Sequence, residues 1–229
     1  MNRDCELVRR DDAPSLAAVL ADDIAVLLAD AIEEHQRASL VVAGGRTPLP
    51  VFERLRRLDL DWSRVVITLT DERWVPPSDA ASNEGMVRRA LLADRAAAAT
   101  FVPLKNEAAT AALGAEAAWR RLEAELPLPF DVVVLGMGED AHTASLFPGS
   151  PGIEAAVDPA ASPACVAMTA PVSPTERLSL NLAALAASRQ LIVHFTGEAK
   201  WTVWQSADDL PIGLTLRSAA ARPWLYWSP

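Results

Sequence analysis

Asp140 and His142 stand two residues apart in Gly136-Met-Gly-Glu-Asp-Ala-His-Thr-Ala-Ser-Leu-Phe-Pro-Gly149. At that spacing a carboxylate can orient an imidazole and tune its basicity, which makes His142 a candidate general base and proton carrier near neutral pH. Gly136 and Gly138 border the pair and admit close backbone approach or positive φ. The competing local reading is a histidine that caps the following turn. Of the other two histidines, His35 falls at a helix end and His194 inside an apolar strand pattern; both are expected to be satisfied structural side chains. Ser145 reads as a turn or cap residue.

A second constellation is basic and glycine-rich. Gly44-Gly45-Arg46-Thr47 lies at a strand-to-helix junction, where free backbone N–H groups and a positive helix end can hold a phosphate. A simple turn explains the same glycines. The loop lacks the Gly-Lys-Ser/Thr ending of a nucleoside triphosphate loop. Arg73, Arg177 and Lys200 each adjoin an expected strand end or turn. One such residue alone is ordinary surface charge; three beside a glycine loop point to a phosphate pocket. Gly136-Met-Gly-Glu-Asp-Ala141 formally satisfies a dinucleotide fingerprint, but Pro148 and Gly149 cut short the helix that such a site needs. No Gly-x-Ser-x-Gly elbow, His-Glu-x-x-His pair or Cys/His cluster occurs, so serine-hydrolase and metal-centre readings find no motif.

These residues need a scaffold, and the apolar pattern supplies one. Val132 to Leu135 is a short β-branched run, expected to be a strand buried on both faces of a parallel sheet. Residues 14 to 36 carry a helical stripe of Leu16, Val19, Leu20, Ile24, Leu27, Leu28 and Ile32. Ser39 to Ala43 is a strand, followed by a helix with Thr47 as N-cap and Pro48 at its first position. Arg64 to Thr70 is a strand ending in the charged residues Asp71-Glu-Arg73, residues 74 to 81 with their two prolines are an irregular loop, and Ser82 or Asn83 caps a helix over Met86 to Leu92. A short strand over Thr100 to Pro103 precedes a helix over residues 108 to 125, with Leu113, Trp119 and Leu122 as core contacts. Residues 148 to 163 are loop, and Cys165 to Thr169 is a strand. Leu178, Leu182 and Leu185 form a helical face, and Leu191 to Phe195 is a strand leading to a helix with Lys200, Trp201 and Trp204. A helix over Ile212 to Ser218 and a strand over Trp224 to Trp227 complete the chain. The alternation predicts an α/β fold, a mostly parallel sheet flanked by helices on both faces, in a single domain over residues 1–229.

Lys and Arg number 21 against 30 Asp and Glu, a formal net charge of -9. That sign disfavours nucleic acid or an anionic membrane as partner, and a small anionic substrate needs only a local basic pocket. Two cysteines, no signal-peptide core in the N-terminal stretch from Met1 to Arg10 and no apolar run of membrane-spanning length lead to the expectation of a cytoplasmic protein.

Four segments taken together resemble the 6-phosphogluconolactonase family: Ala43 to Pro48, Asp71 to Pro76 with Ser82-Asn83, Leu135 to Gly149, and Gly197-Glu-Ala-Lys200. The first is shared with the wider sugar-phosphate isomerase and deaminase superfamily. The resemblance implies a Rossmann-like sheet and an enzyme that hydrolyses a phosphorylated sugar lactone, 6-phospho-D-glucono-1,5-lactone, without metal or organic cofactor and as a monomer. It further implies His142 and Asp140 as the catalytic pair, with Gly44, Gly45, Arg46, Thr47, Asp71, Arg73, Arg177 and Lys200 around the substrate. Ala141 stands where the family usually has glycine, and Phe147 where the related deaminases carry a ring-opening glutamate; a lactone needs no such acid. The rivals are an isomerase or deaminase of the same fold, with Asp71 as base, and a non-catalytic sugar-phosphate sensor.

Overall fold

The computed structural model describes residues 4–229; Met1 to Arg3 of the N-terminal stretch lie outside the described residues. Strands β1 (Glu6–Arg9), β2 (Ala38–Val42), β3 (Val65–Leu69), β5 (Thr100–Phe101), β6 (Val132–Leu135), β9 (Gln190–Thr196) and β10 (Trp224–Ser228) form one sheet in the order β1-β10-β9-β6-β2-β3-β5. Every neighbouring pair in it is parallel. Strands β4 (Asp71–Arg73), β7 (Cys165–Thr169) and β8 (Glu176–Leu180) form a second, antiparallel sheet in the order β4-β8-β7. The helices are α1 (Ala13–His35), α2 (Leu49–Leu55), α3 (Asn83–Ala90), α4 (Ala111–Glu125), α5 (Ile153–Ala156), α6 (Leu182–Ala186), α7 (Glu198–Gln205) and α8 (Pro211–Arg217). None among the described residues is long and apolar enough to cross a membrane.

Strands β2, β3 and β6 are buried at every residue, which requires cover on both sheet faces and explains their unbroken runs of apolar residues. Helix α1 packs across β2, β6 and β10. Its stripe of Leu16, Leu20, Ile24 and Leu28 is fully buried, each side chain contributing roughly 1.5–3 kcal/mol of apolar burial. Asp12 caps the helix by accepting from the Ser15 N–H at 2.7 Å.

From β2 the chain order runs through β3 to β5 on one side and through β6 and β9 to β10 on the other. The switch therefore falls between β2 and β6, and the crevice beyond the carboxyl ends of such strands is where open α/β sheets bind ligands. The Gly44 loop leaves β2 and the His142 loop leaves β6, so the two motifs converge there.

Four local expectations are corrected. Pro48, not Thr47, occupies the N-cap of α2, and no side chain caps it. Strand structure does not end at Thr70, because β3 passes directly into β4 and changes sheet. Leu178 lies in β8; its spacing to Leu182 and Leu185 is helical, but pairing with β4 and β7 holds residues 176 to 180 extended. Leu113 is 72% exposed, since α4 buries the stripe Ala111, Gly114, Ala118 and Leu122 instead. Strand β1 was not expected from the sequence; it adds an edge beside β10.

Candidate functional site

A cavity of about 340 Å³ opens at the switch point, lined by Gly44, Gly45, Arg46, Thr47, Asp71, Arg73, His142 and Lys200 among others. Eight of the ten residues singled out from the sequence thus share one wall. The remaining two, Asp140 and Arg177, do not line it but each contacts or neighbours a residue that does.

The loop after β6 fixes His142 through its own hydrogen bonds. The Gly138 N–H donates to the His142 carbonyl at 2.9 Å, and Thr143 Oγ1 donates to the Gly136 carbonyl at 2.9 Å. His142 Nδ1 lies 2.5 Å from Asp140 Oδ1, which also accepts from the His142 N–H at 3.1 Å. Partial burial alone would raise the Asp140 carboxyl, but the His142 backbone and ring together hold it below the ordinary value. Asp140 is therefore a carboxylate that occupies Nδ1 and leaves Nε2 as the free ring nitrogen. Phe147 packs on the imidazole with ring centroids 4.4 Å apart. Gly138 is required sterically: a Cβ there would sit 2.1 Å from His142 Nδ1 and 2.7 Å from Asp140 Oδ1. Gly136 meets no such constraint. Ala141 has φ of 63° and is fully buried, so the alanine does occupy a backbone conformation that favours glycine.

Ser145 is not merely a turn residue. Its Oγ donates to Asp71 Oδ2 at 2.6 Å, and its N–H donates to Ser179 Oγ at 3.2 Å, bracing the His142 loop against the second sheet. Thr70 Oγ1 donates to Asp71 Oδ1 at 3.0 Å, so both carboxylate oxygens of Asp71 already accept a hydrogen bond.

Glu72 is 1% exposed and accepts from the N–H groups of Arg73, Asn83 and Glu84 and from Ser82 Oγ, at 2.7 to 3.1 Å. Burial raises its carboxyl above the ordinary value, and those three N–H donors pull the other way. This buried cap sets the start of α3 and with it Asn83, whose Nδ2 donates to the Asp71 carbonyl at 2.9 Å. Asn83 in turn explains Gly44, where a Cβ would meet Asn83 Oδ1 at 2.0 Å.

The anionic end of a ligand has clear partners. Among the described residues, the N–H groups of Gly44, Gly45, Arg46 and Thr47 make no hydrogen bond. Arg73 and Arg177 are register partners across β4 and β8; neither forms an ion pair among the described residues, and the Nε of each is buried without a partner. Burial and the adjacent Arg73 charge push the Arg177 guanidinium below its ordinary value, against the pull of Asp71 and Glu72. Lys200, in the first turns of α7, is likewise lowered by burial, opposed by Glu139. Two adjacent guanidinium groups that form no ion pair among the described residues favour an anion between or beside them.

The sequence profile of the glucosamine-6-phosphate isomerases/6-phosphogluconolactonase matches residues 11–222. The chain belongs to that family. It is 44% identical over 223 residues to a 6-phosphogluconolactonase of Pseudomonas aeruginosa, covering 95% of this chain and 92% of the relative. A 6-phosphogluconolactonase of Rhizobium meliloti is 43% identical over 96% of this chain and 97% of its own. A crystal structure of a 6-phosphogluconolactonase from Shewanella baltica superposes with a TM-score of 0.91 at 42% identity, covering 98% of both chains. These relatives place the chain among the enzymes of the family's lactonase branch, and the family's α/β fold with a parallel sheet is the one described above.

Two polar side chains of the wall were not assigned to the site from the sequence. Asn83 was named only as a possible cap, and that role belongs to Ser82, whose Oγ accepts from the Gly85 N–H. His194 was expected to be a satisfied structural histidine; it lines the cavity, and its Nε2 has no hydrogen-bond partner among the described residues. No periodicity marks either one, because both are placed by the register of neighbouring strands and caps.

Proposed function

We propose that this chain hydrolyses 6-phospho-D-glucono-1,5-lactone to 6-phosphogluconate, the lactone-opening step of the oxidative pentose phosphate route, with His142 as general base. The observation that carries the mechanism is the Asp140–His142 contact at 2.5 Å on the cavity wall. Nδ1–H donates to Asp140, so Nε2 presents a lone pair. Nε2 takes a proton from water as the water oxygen bonds to C1, and the carbonyl electrons move onto the carbonyl oxygen. Collapse of that tetrahedral centre breaks the bond from C1 to the ring oxygen, which receives the proton from His142. The product acid ionises in water. Asp140 stabilises the transient imidazolium, and Phe147 keeps the ring from swinging away.

The unpartnered N–H groups of Gly44 to Thr47 suit the phosphate, with Thr47, Arg73, Arg177 and Lys200 supplying hydroxyl and charge. The donors come from the loop backbone more than from α2, which has only 7 residues and begins after Pro48. The oxyanion falls to whichever of Gly45, Arg46 and Arg73 faces C1 once the phosphate is seated. Asp71 acts as a brace for the His142 loop and as a wall group facing the sugar. Phe147 occupies the place of the deaminases' ring-opening acid, which supports lactone hydrolysis over deamination.

Proton release at near-neutral pH from freshly made 6-phosphogluconolactone tests the reading. Strong acceleration over spontaneous hydrolysis is expected, with unphosphorylated gluconolactone turned over far less efficiently. Equal rates with and without protein would reject it.

A further inference from the structure

We propose that His194 belongs to the ligand-binding wall and donates a hydrogen bond from an uncharged imidazole to the substrate phosphate beside Lys200. The choice of phosphate rests on the lactonase reading above; the presence of a ligand contact at His194 does not. The side chain comes from β9, whose register pairs Leu135 with Val193 and so sets His194 level with Gly136. A Cβ at Gly136 would find nothing within 4 Å, so the space flanking His194 on the β6 side is open. His194 is 3% exposed and lines the same cavity as Lys200, yet its Nε2 has no partner among the described residues. A buried ring nitrogen without a protein partner carries a desolvation cost, which a ligand donor or acceptor removes.

Burial and the Lys200 charge push the His194 imidazole down to about 4, so the ring is neutral where the enzyme works. A neutral ring has one N–H to donate and one lone pair. Next to Lys200 it adds a directional contact to a phosphate oxygen without placing a second cation against the ammonium. Lys200 is the charge whose proximity acts on His194, and both side chains line the cavity.

The test uses the intact protein and inorganic phosphate, so it does not depend on turnover. The imidazole 15N resonance of His194 Nε2 is followed by long-range proton–nitrogen correlation as phosphate is added, with gluconate as the unphosphorylated control. Phosphate should shift it and gluconate should not. In parallel, His194→Phe should raise KM for the phosphorylated lactone roughly 10- to 100-fold, the loss expected for one hydrogen bond to a charged group, with kcat little changed. His194→Gln should recover most of that loss. A resonance that ignores phosphate, or a Phe variant with unchanged KM, overturns the proposal. A phosphate response in a protein without lactone turnover would sink the lactonase reading and leave the His194 contact standing.

Discussion

His142 works through what surrounds it. Asp140 holds Nδ1, Phe147 covers the ring and Gly138 leaves the room that both need. The position between acid and base is strained, because Ala141 sits at φ of 63°, as Ala144 further along the loop sits at 49°. Left-handed backbone costs a non-glycine residue about 1–2 kcal/mol. Replacing Ala141 by glycine relieves that strain but costs about 0.4–1 kcal/mol through the greater entropy of the unfolded chain and about 0.8 kcal/mol for the lost buried methyl. The terms nearly cancel. Ala141→Gly should therefore move stability by less than about 1 kcal/mol in urea unfolding and leave kcat/KM within about twofold. A tenfold loss of activity would mean that the methyl shapes the site.

At the scale of elements, the second sheet does the positioning. It carries Asp71, Arg73 and Arg177, and through Ser145 and Ser179 it grips the loop from β6. Glu72 is its anchor into α3. In Glu72→Gln, an amide NH₂ faces backbone donors that now lack an acceptor, and such a loss costs roughly 1–3 kcal/mol. Urea unfolding should show that loss, and KM should rise because Asn83 is released; a variant of wild-type stability and KM would remove Glu72 from the account. This sheet was also the part least legible in the sequence. Asp71-Glu-Arg reads as the charged end of a strand and not as a strand of its own, because its burial is satisfied by partners far along the chain, Asn83 and Ser145 among them. Leu178, Leu182 and Leu185 fit a helical period by coincidence of a strand, a cap at Asn181 and a short helix. By contrast, β2, β3 and β6 were legible because strands buried on both faces have no polar alternation to blur them, and the motifs at their ends carried seven of the eight expected cavity residues, Lys200 following β9. His194 stayed hidden because an apolar strand that ends in a pocket reads no differently from one that ends in the core.

For the whole molecule, the titrating groups set how stability answers to pH. His194 is held at about 4 against an ordinary 6.5, so between those values the unfolded chain binds a proton that the folded chain does not. Stability is then full above pH 6.5 and falls as pH drops towards 4, by on the order of 3 kcal/mol. The lowered Asp140 carboxyl adds a loss of the same sign at still lower pH. Glu72, raised by burial, opposes both. Urea midpoints at pH 7 and 4.5 should fall in the wild type and fall less in His194→Gln, a difference from which the Glu72 contribution cancels. Equal falls would show that His194 titrates normally.

In the mechanism proposed above, the parallel sheet, the second sheet and the two loops that meet at their junction all serve a single proton transfer at His142. The most direct measurement of that claim is kcat for His142→Gln on 6-phosphogluconolactone, corrected for spontaneous hydrolysis, beside the calorimetric affinity of the variant for 6-phosphogluconate. A fall of about 10²- to 10⁴-fold in kcat is predicted for loss of a general base, with product affinity within about threefold of wild type. A variant that keeps the wild-type kcat would contradict the assignment, however well the fold and the pocket fit the family.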